Sequence, residues 1–209
     1  MTRQDDLFRP LDAPLPAGVY WLRAQTSLDA LLPQIEALVA QSPWRHWQVP
    51  GGGVMSVEST NAGAVGWCSD LKGYRYEHHD PMTGAAWPPM PAAFQTLARE
   101  CAARAGFRDF APDCCLVNRY APGARMGTHR DADEIDFSQP IVSVSLGLSA
   151  TFVWLGAERA GRGVPIEVSD GDVVVFGGDA RRGYHRVKPV RGDTSRHGYR
   201  INLTFRKAR

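Results

Sequence analysis

No stretch of the 209-residue chain is apolar for long enough to cross a bilayer. Its first residues carry Arg3, Asp5 and Asp6 and lack a hydrophobic region of the signal-peptide kind. A cytoplasmic protein with no membrane partner is therefore expected. Cysteine is scarce: Cys68, Cys101 and the adjacent Cys114 and Cys115 include no Cys-x-x-Cys spacing for zinc or redox work. Cys101 falls on an apolar helical stripe and is expected in the core. A large charge excess is also missing, the net being +2. The distribution is lopsided, however. Residues 181–209 hold ten Lys or Arg against one Asp, a balance of +9 that leaves the preceding 180 residues at −7. Such a basic segment suits either a phosphate-rich partner or a solvated face.

What is present centres on Asn118-Arg-Tyr-Ala-Pro-Gly-Ala-Arg-Met-Gly-Thr-His129-Arg-Asp131. Side chains alternate along an extended segment, so His129 and Asp131 face the same way with Cα atoms roughly 6–7 Å apart and can grip one metal ion. Among the six histidines, His185 is best placed to supply a third ligand, because it directly follows an apolar strand pattern. Two His and one carboxylate leave positions open, which suits non-haem Fe(II) with O2 and a cosubstrate. At the C-terminus, Arg200-Ile-Asn-Leu-Thr-Phe-Arg206 is a β-type run with Arg200, Asn202, Thr204 and Arg206 on one face. Paired guanidinium forks facing inward suggest a dicarboxylate.

Residues 1–17, with Pro10, Pro14 and Pro16, are expected to be irregular, and Val19 to Leu22 a short strand. Ser27 caps a helix whose Leu28, Leu31, Leu32, Ile35, Leu38 and Val39 share a face, with Pro33 either kinking it or marking its first turn. Between Trp44 and Trp87 aromatics are scattered among glycines, as in a lid that handles flat rings. Trp44 and Trp87 are expected to plug that lid against the core, and His78 and His79 to lie in a surface loop. Pro91 to Ala105 is a second helix stopped by Gly106. Short strands follow at 114–120, 126–131, 141–148, 151–155, 165–168, 172–176, 184–188 and 199–205, with no helix between them. Eight such strands indicate a β-sandwich or jelly roll. Alternation puts Leu116, Asn118 and Tyr120 on one face. Arg200 and Arg206 are separated by roughly 20 Å of extended strand, longer than a small dicarboxylate, so both contribute only if their side chains lean together or the strand bends.

These motifs, with Pro50-Gly-Gly, Met55-Ser-Val, Gly66-Trp67, Gly73-Tyr74, the 141–148 run and Gly171-Asp-Val-Val-Val, resemble in order the AlkB family of Fe(II)/2-oxoglutarate dioxygenases, which repair alkylated nucleic-acid bases. The resemblance implies a mainly β fold with flanking helices: a double-stranded β-helix core (jelly roll, cupin-like) with an N-terminal nucleotide-recognition lid. It implies one catalytic domain over 1–209, with extension, helix and lid in 1–90 and helix plus core in 91–209. His129, Asp131 and His185 would hold Fe(II). Asn118, Tyr120, Arg200, Asn202 and Arg206 would hold 2-oxoglutarate, Arg200 at the far carboxylate and Arg206 near Asp131. Trp67 and Tyr74 would contact the target base, Met126 wall its pocket, Asp133 select for positive charge, and Arg159 touch the nucleic acid.

The implied reaction is oxidative demethylation of bases such as 1-methyladenine and 3-methylcytosine. It consumes O2 and 2-oxoglutarate and releases succinate and formaldehyde. The implied partner is alkylated single-stranded DNA, with RNA and double-stranded DNA as further candidates, acted on by a monomer, because the base must leave its stack. Gly51 to Val54 lacks a bulky side chain, and Phe176 occupies a position the resemblance puts near the iron and open to Trp; both bear on substrate preference. Two other classes remain at this level: an Fe(II)/2-oxoglutarate oxygenase acting on a protein or small molecule, and a non-catalytic metal-binding cupin-like module.

Overall fold

The structure, a computed structural model, describes residues 15–192 and 196–209. The expectation for residues 1–14 lies outside the described residues. The elements in order are β1 (Val19–Leu22), α1 (Leu28–Gln41), β2 (Arg45–Gln48), β3 (Val54–Gly63), β4 (Gly66–Asp70), β5 (Gly73–Glu77), α2 (Ala92–Arg104), β6 (Cys114–Tyr120), β7 (Met126–His129), β8 (Ile141–Gly147), β9 (Ala150–Gly156), β10 (Val164–Val168), β11 (Val173–Phe176), β12 (Tyr184–Val187) and β13 (Arg200–Arg206). A 3-10 turn, Gly178–Arg182, interrupts the expected helix-free run between β11 and β12. It carries Arg181 inward, which proves important at the site.

Seven antiparallel strands form one sheet in the order β1-β11-β8-β13-β6-β3-β2, and four form a second, β10-β9-β12-β7. The two sheets face each other as a jelly roll. β13 lies at the centre of the larger sheet and is buried along its whole length. Its alternation decides the layering. Ile201, Leu203 and Phe205 pack toward the helices, each burial worth roughly 2 kcal/mol, while Arg200, Asn202, Thr204 and Arg206 line a cleft on the other face.

The helices cover the outer face. Ser27 caps α1, accepting from the Ala30 amide at 3.2 Å, and the helix runs on through Pro33. Leu28, Leu31, Ile35 and Leu38 join Phe94, Ala98 and Cys101 of α2 against Val142, Val144, Val173 and Val175. α2 ends just before Gly106, whose φ of +94° stops it at little cost.

The segment before residue 90 does more than form a lid. β1 pairs with β11, and β2 and β3 extend the larger sheet through β6, so the lid proper is the separate ribbon β4–β5. Trp87 sits beneath that ribbon with Trp47 and Cys68 and donates to the Glu77 carbonyl at 2.9 Å. Trp44 does not: it packs on the helix side, with the Arg119 guanidinium 5.1 Å above its ring. His78 and His79 are exposed. No helix among the described residues is long and apolar enough to cross a membrane.

Candidate metal and cosubstrate site

All thirteen residues singled out above line one cleft of about 680 Å³ between the sheets, open toward the β4–β5 ribbon. Its centre is built by strand register. β12 pairs with β7 so that His185 stands directly opposite His129, their ring centroids 4.3 Å apart. β7 ends at His129, short of the expected residue 131, because the chain leaves the ladder there and the Asp131 carbonyl takes a hydrogen bond from Arg181 at 3.0 Å. Asp131 nevertheless turns its carboxylate to the two imidazoles, and the three ligand atoms lie within 4.8 Å of one another.

The hydrogen bonds around the three residues suit them to an ion. His129 Nδ1 donates to the Gly127 carbonyl at 2.8 Å and His185 Nδ1 to the Gly183 carbonyl at 3.2 Å, which leaves each Nε2 as a lone pair. Burial, aided by the neighbouring His129, pushes the His185 pKa down to about 3, so this imidazole is neutral. Its 3.6 Å approach to Asp131 Oδ2 is therefore a meeting of two ligand atoms and no ion pair. Burial alone would raise the Asp131 pKa, but Arg206 with the two histidines and Arg181 outweighs it, and the carboxyl stays well below the usual range. Arg206 Nη2 donates to Asp131 Oδ1 at 2.7 Å, while Oδ2 is buried without a donor. A divalent cation at that point satisfies Oδ2 and both imidazoles, and the mixed N/O donor set fits Fe(II).

His185 is further held by rings of the inner core, with Phe152 at 5.3 Å, Trp154 parallel at 6.1 Å and Phe176 at 5.1 Å. Phe176 thus stands beside His185 of the triad. The approach is close enough that a Cβ on Gly183 would sit 2.1 Å from the Trp154 ring.

Beside the ion site lies a polar pocket floor. Arg200 Nη2 donates to Ser145 Oγ at 2.8 Å and its guanidinium covers the Tyr120 ring at 4.7 Å, but its Nε and Nη1 are buried with no acceptor. Burial lowers the Arg200 pKa, and the Tyr120 hydroxyl beside it only partly opposes the shift. Asn118 Oδ1 accepts from Ser59 Oγ at 2.7 Å, which orients its amide donors to the cleft. Asn202 also lines the cleft. Its Nδ2 donates to Ser143 Oγ and the Val144 carbonyl, both at 2.9 Å, and its Oδ1 accepts from Thr204 Oγ1, so these bonds hold its side chain in the floor. Arg206 reaches the ion site through Asp131, Arg200 bonds Ser145 instead, and each guanidinium keeps its Nε and Nη1 buried without a hydrogen-bond partner.

At the mouth, Trp67, Tyr74 and Tyr76 share one face of the ribbon, since Trp67 pairs with Tyr76 and Ser69 with Tyr74. The Trp67 and Tyr74 rings stack at 5.6 Å and 17°, and Trp67 Nε1 donates to Asp133 Oδ2 at 3.1 Å. Met126 forms part of the wall, and Arg159 lies 5.9 Å from the Tyr184 ring, which Arg130 approaches at 5.3 Å.

Several residues escaped the sequence reading. Ser143 and Ser145 could have been found, because polar residues alternating in an otherwise apolar strand mark a functional face. Glu134, Arg181 and Tyr76 carry no local signal: an acid in an acidic loop reads as solvated, yet Glu134 is buried and bound by all three side chains around it.

A jelly roll that gathers two histidines and a carboxylate around an ion site, next to a buried arginine awaiting an anion, defines a non-haem iron oxygenase that uses a 2-oxo acid. Comparison with known proteins agrees. Residues 18–206 match the 2OG-Fe(II) oxygenase superfamily. The alpha-ketoglutarate-dependent dioxygenase AlkB of Salmonella typhimurium is 44% identical over 97% of both chains. The nucleic acid dioxygenase ALKBH1 of Homo sapiens is 31% identical over 58% of this chain and 29% of its own. The solved structure of OsALKBH1 superposes with a TM-score of 0.78 at 25% identity, covering 93% of this chain and 100% of that one. The chain belongs to the AlkB family of Fe(II)/2-oxoglutarate-dependent dioxygenases.

Proposed function

We propose that the protein removes methyl groups oxidatively from the pairing edge of bases such as 1-methyladenine and 3-methylcytosine in single-stranded DNA, acting as a cytoplasmic monomer. The observation that carries this reading is the Trp67–Tyr74 stack, poised over the same cleft as the triad and tethered to an acid two residues beyond a metal ligand. A small-molecule or protein oxygenase needs no such platform. Because the two rings already stack on each other, a base extends the stack. A methylated pairing edge is cationic, so Asp133 and the ring faces favour it over the unmodified base. The AlkB and ALKBH1 relatives fit a nucleic-acid substrate, and the four free thiols fit a reducing compartment.

In this reading His129, Asp131 and His185 hold Fe(II). Arg200 receives the far carboxylate of 2-oxoglutarate, and Asn118 and Tyr120 flank it. When bound, the iron supplies the oxidising chemistry for an unactivated C–H bond that no side chain can attack. One atom of O2 ends in succinate, with loss of CO2, and the other in the methyl carbon, which leaves as formaldehyde. Met126 walls the base pocket, and Arg159 at the rim takes a backbone phosphate. The buried, unpaired nitrogens of Arg200 disfavour a purely structural metal module.

The test is anaerobic loading with Fe(II), then 2-oxoglutarate, air and a single-stranded oligonucleotide carrying 1-methyladenine, beside an Asp131→Ala control. Base restoration with equal succinate and formaldehyde, lost in the control, is expected. Succinate without restoration overturns the substrate, and absence of succinate overturns the enzyme.

A further inference from the structure

Glu134 lies outside the cleft, three residues past Asp131, and is only 5% exposed. Its Oε2 accepts from Arg181 Nη2 at 3.0 Å. Its Oε1 takes the Tyr76 hydroxyl hydrogen and lies 3.4 Å from Arg206 Nε. The same two guanidiniums hold the metal ligand: Arg206 through the Asp131 side chain at 2.7 Å, and Arg181 through its carbonyl at 3.0 Å. Two arginines and two carboxylates thus form a buried cluster of zero net charge, in which Arg206 meets Glu134 as an ion pair at 3.4 Å and Asp131 through a hydrogen bond.

Tyr76 joins this cluster from outside. It belongs to β5, stands opposite Trp67 and shares a face with Tyr74. One buried carboxylate therefore receives both the docking hydroxyl of the ribbon and the arginines that aim Asp131. If the ribbon shifted, its hydroxyl would leave Glu134 and free Oε1 to draw Arg206 away from Asp131. Conversely, an ion that fixes Asp131 fixes Arg206, and through it the acceptor that Tyr76 needs.

We infer that Glu134 is a positioning residue that couples seating of the β4–β5 ribbon to the geometry of Asp131, so that loading the metal centre and closing the base-binding platform favour each other. This rests on the metal-centre reading of the triad. By linkage the coupling is reciprocal: whatever factor metal adds to ribbon docking, docking adds to metal affinity.

The test uses the whole protein with Co(II) and 2-oxoglutarate under argon, following amide hydrogen exchange across residues 66–77 and the visible absorption of Co(II). In the wild type, loading is expected to slow exchange in the ribbon by about fivefold or more. In Tyr76→Phe, Co(II) still binds, but the slowing drops below about twofold and Co(II) affinity weakens by the factor lost. Glu134→Gln, which keeps an acceptor for Tyr76 but removes the charge that holds both guanidiniums, is expected to weaken Co(II) binding, and unchanged Co(II) affinity overturns Glu134 as the positioning residue. A merely structural hydroxyl would speed ribbon exchange equally with and without metal; an unchanged loaded-to-empty ratio in Tyr76→Phe overturns the proposal. If wild-type protein binds no Co(II), the metal-centre reading falls and the coupling with it. Binding without an exchange response overturns the coupling alone.

Discussion

The Trp67 indole donates to Asp133 Oδ2 at 3.1 Å, joining the ribbon's stacking ring to the acid that follows the metal ligand Asp131. Asp133 thereby fixes the ring, and in the proposed function it also sets negative charge against the positive charge of a methylated base.

Asp133→Asn keeps a side-chain acceptor for the indole and removes the charge. It should lower kcat/KM for a 1-methyladenine oligonucleotide by about tenfold relative to a neutral methylated base, the equivalent of roughly 1.4 kcal/mol. Competition between the two oligonucleotides measures it, and an unchanged ratio would assign Asp133 to ring positioning alone.

Arg200→Lys retains a cation but loses the planar fork. With the charge-assisted pair weakened, KM for 2-oxoglutarate should rise roughly ten- to a hundredfold. Co(II) affinity should stay within about twofold, because Arg200 reaches none of the three ligands. Succinate formation against 2-oxoglutarate concentration separates the two effects.

Arg130 and Arg159 approach one ring, Tyr184, at the rim of the cleft. Each Arg→Ala change should reduce the slope of log affinity against log salt for a single-stranded oligonucleotide by about one. Turnover of a methylated mononucleoside, which has no phosphate, should be unaffected. An unchanged slope would place both guanidiniums outside the nucleic-acid path.

His185 takes a proton near pH 6.5 in the unfolded chain and only near 3 in the folded one. Between those values the unfolded state binds the extra proton, so stability falls as pH falls, by up to about 1.4 kcal/mol per pH unit from this group. Asp131, held low, adds its own loss only below the ordinary carboxylate range. Urea unfolding of metal-free protein from about pH 8 to pH 5 should show the decline beginning near pH 6.5, and His185→Gln should flatten it.

Burial pushes the thiols of Cys68 and Cys114 up to about 12 and that of Cys101 to about 11, and holds Cys115 well above its ordinary value. All four should resist a disulfide reagent near pH 8 in native protein and react together once guanidinium chloride unfolds it. A thiol that reacts without unfolding would identify a region that opens locally.

The amino-acid sequence by itself determined the chemistry and the layers. His129 and Asp131 share a face through spacing alone; Ile201, Leu203 and Phe205 against Arg200, Asn202 and Arg206 record which side of β13 meets the helices; and Ser27 and Gly106 mark helix ends by local capping. Such features are legible because each depends on backbone periodicity over a few residues. Tertiary structure alone decided the rest. It set His185 against His129 through the β7–β12 register, and it held the Asn202 amide within the floor. It also sent β2 and β3 into the larger sheet, and it buried Glu134 between Arg181, Arg206 and Tyr76. Those partners come from segments tens of residues apart, and an acid beside a metal ligand looks the same in sequence whether solvent or two guanidiniums surround it. Only the packing of the β4–β5 ribbon and the 3-10 turn against β13 removes the solvent, and with it the choice.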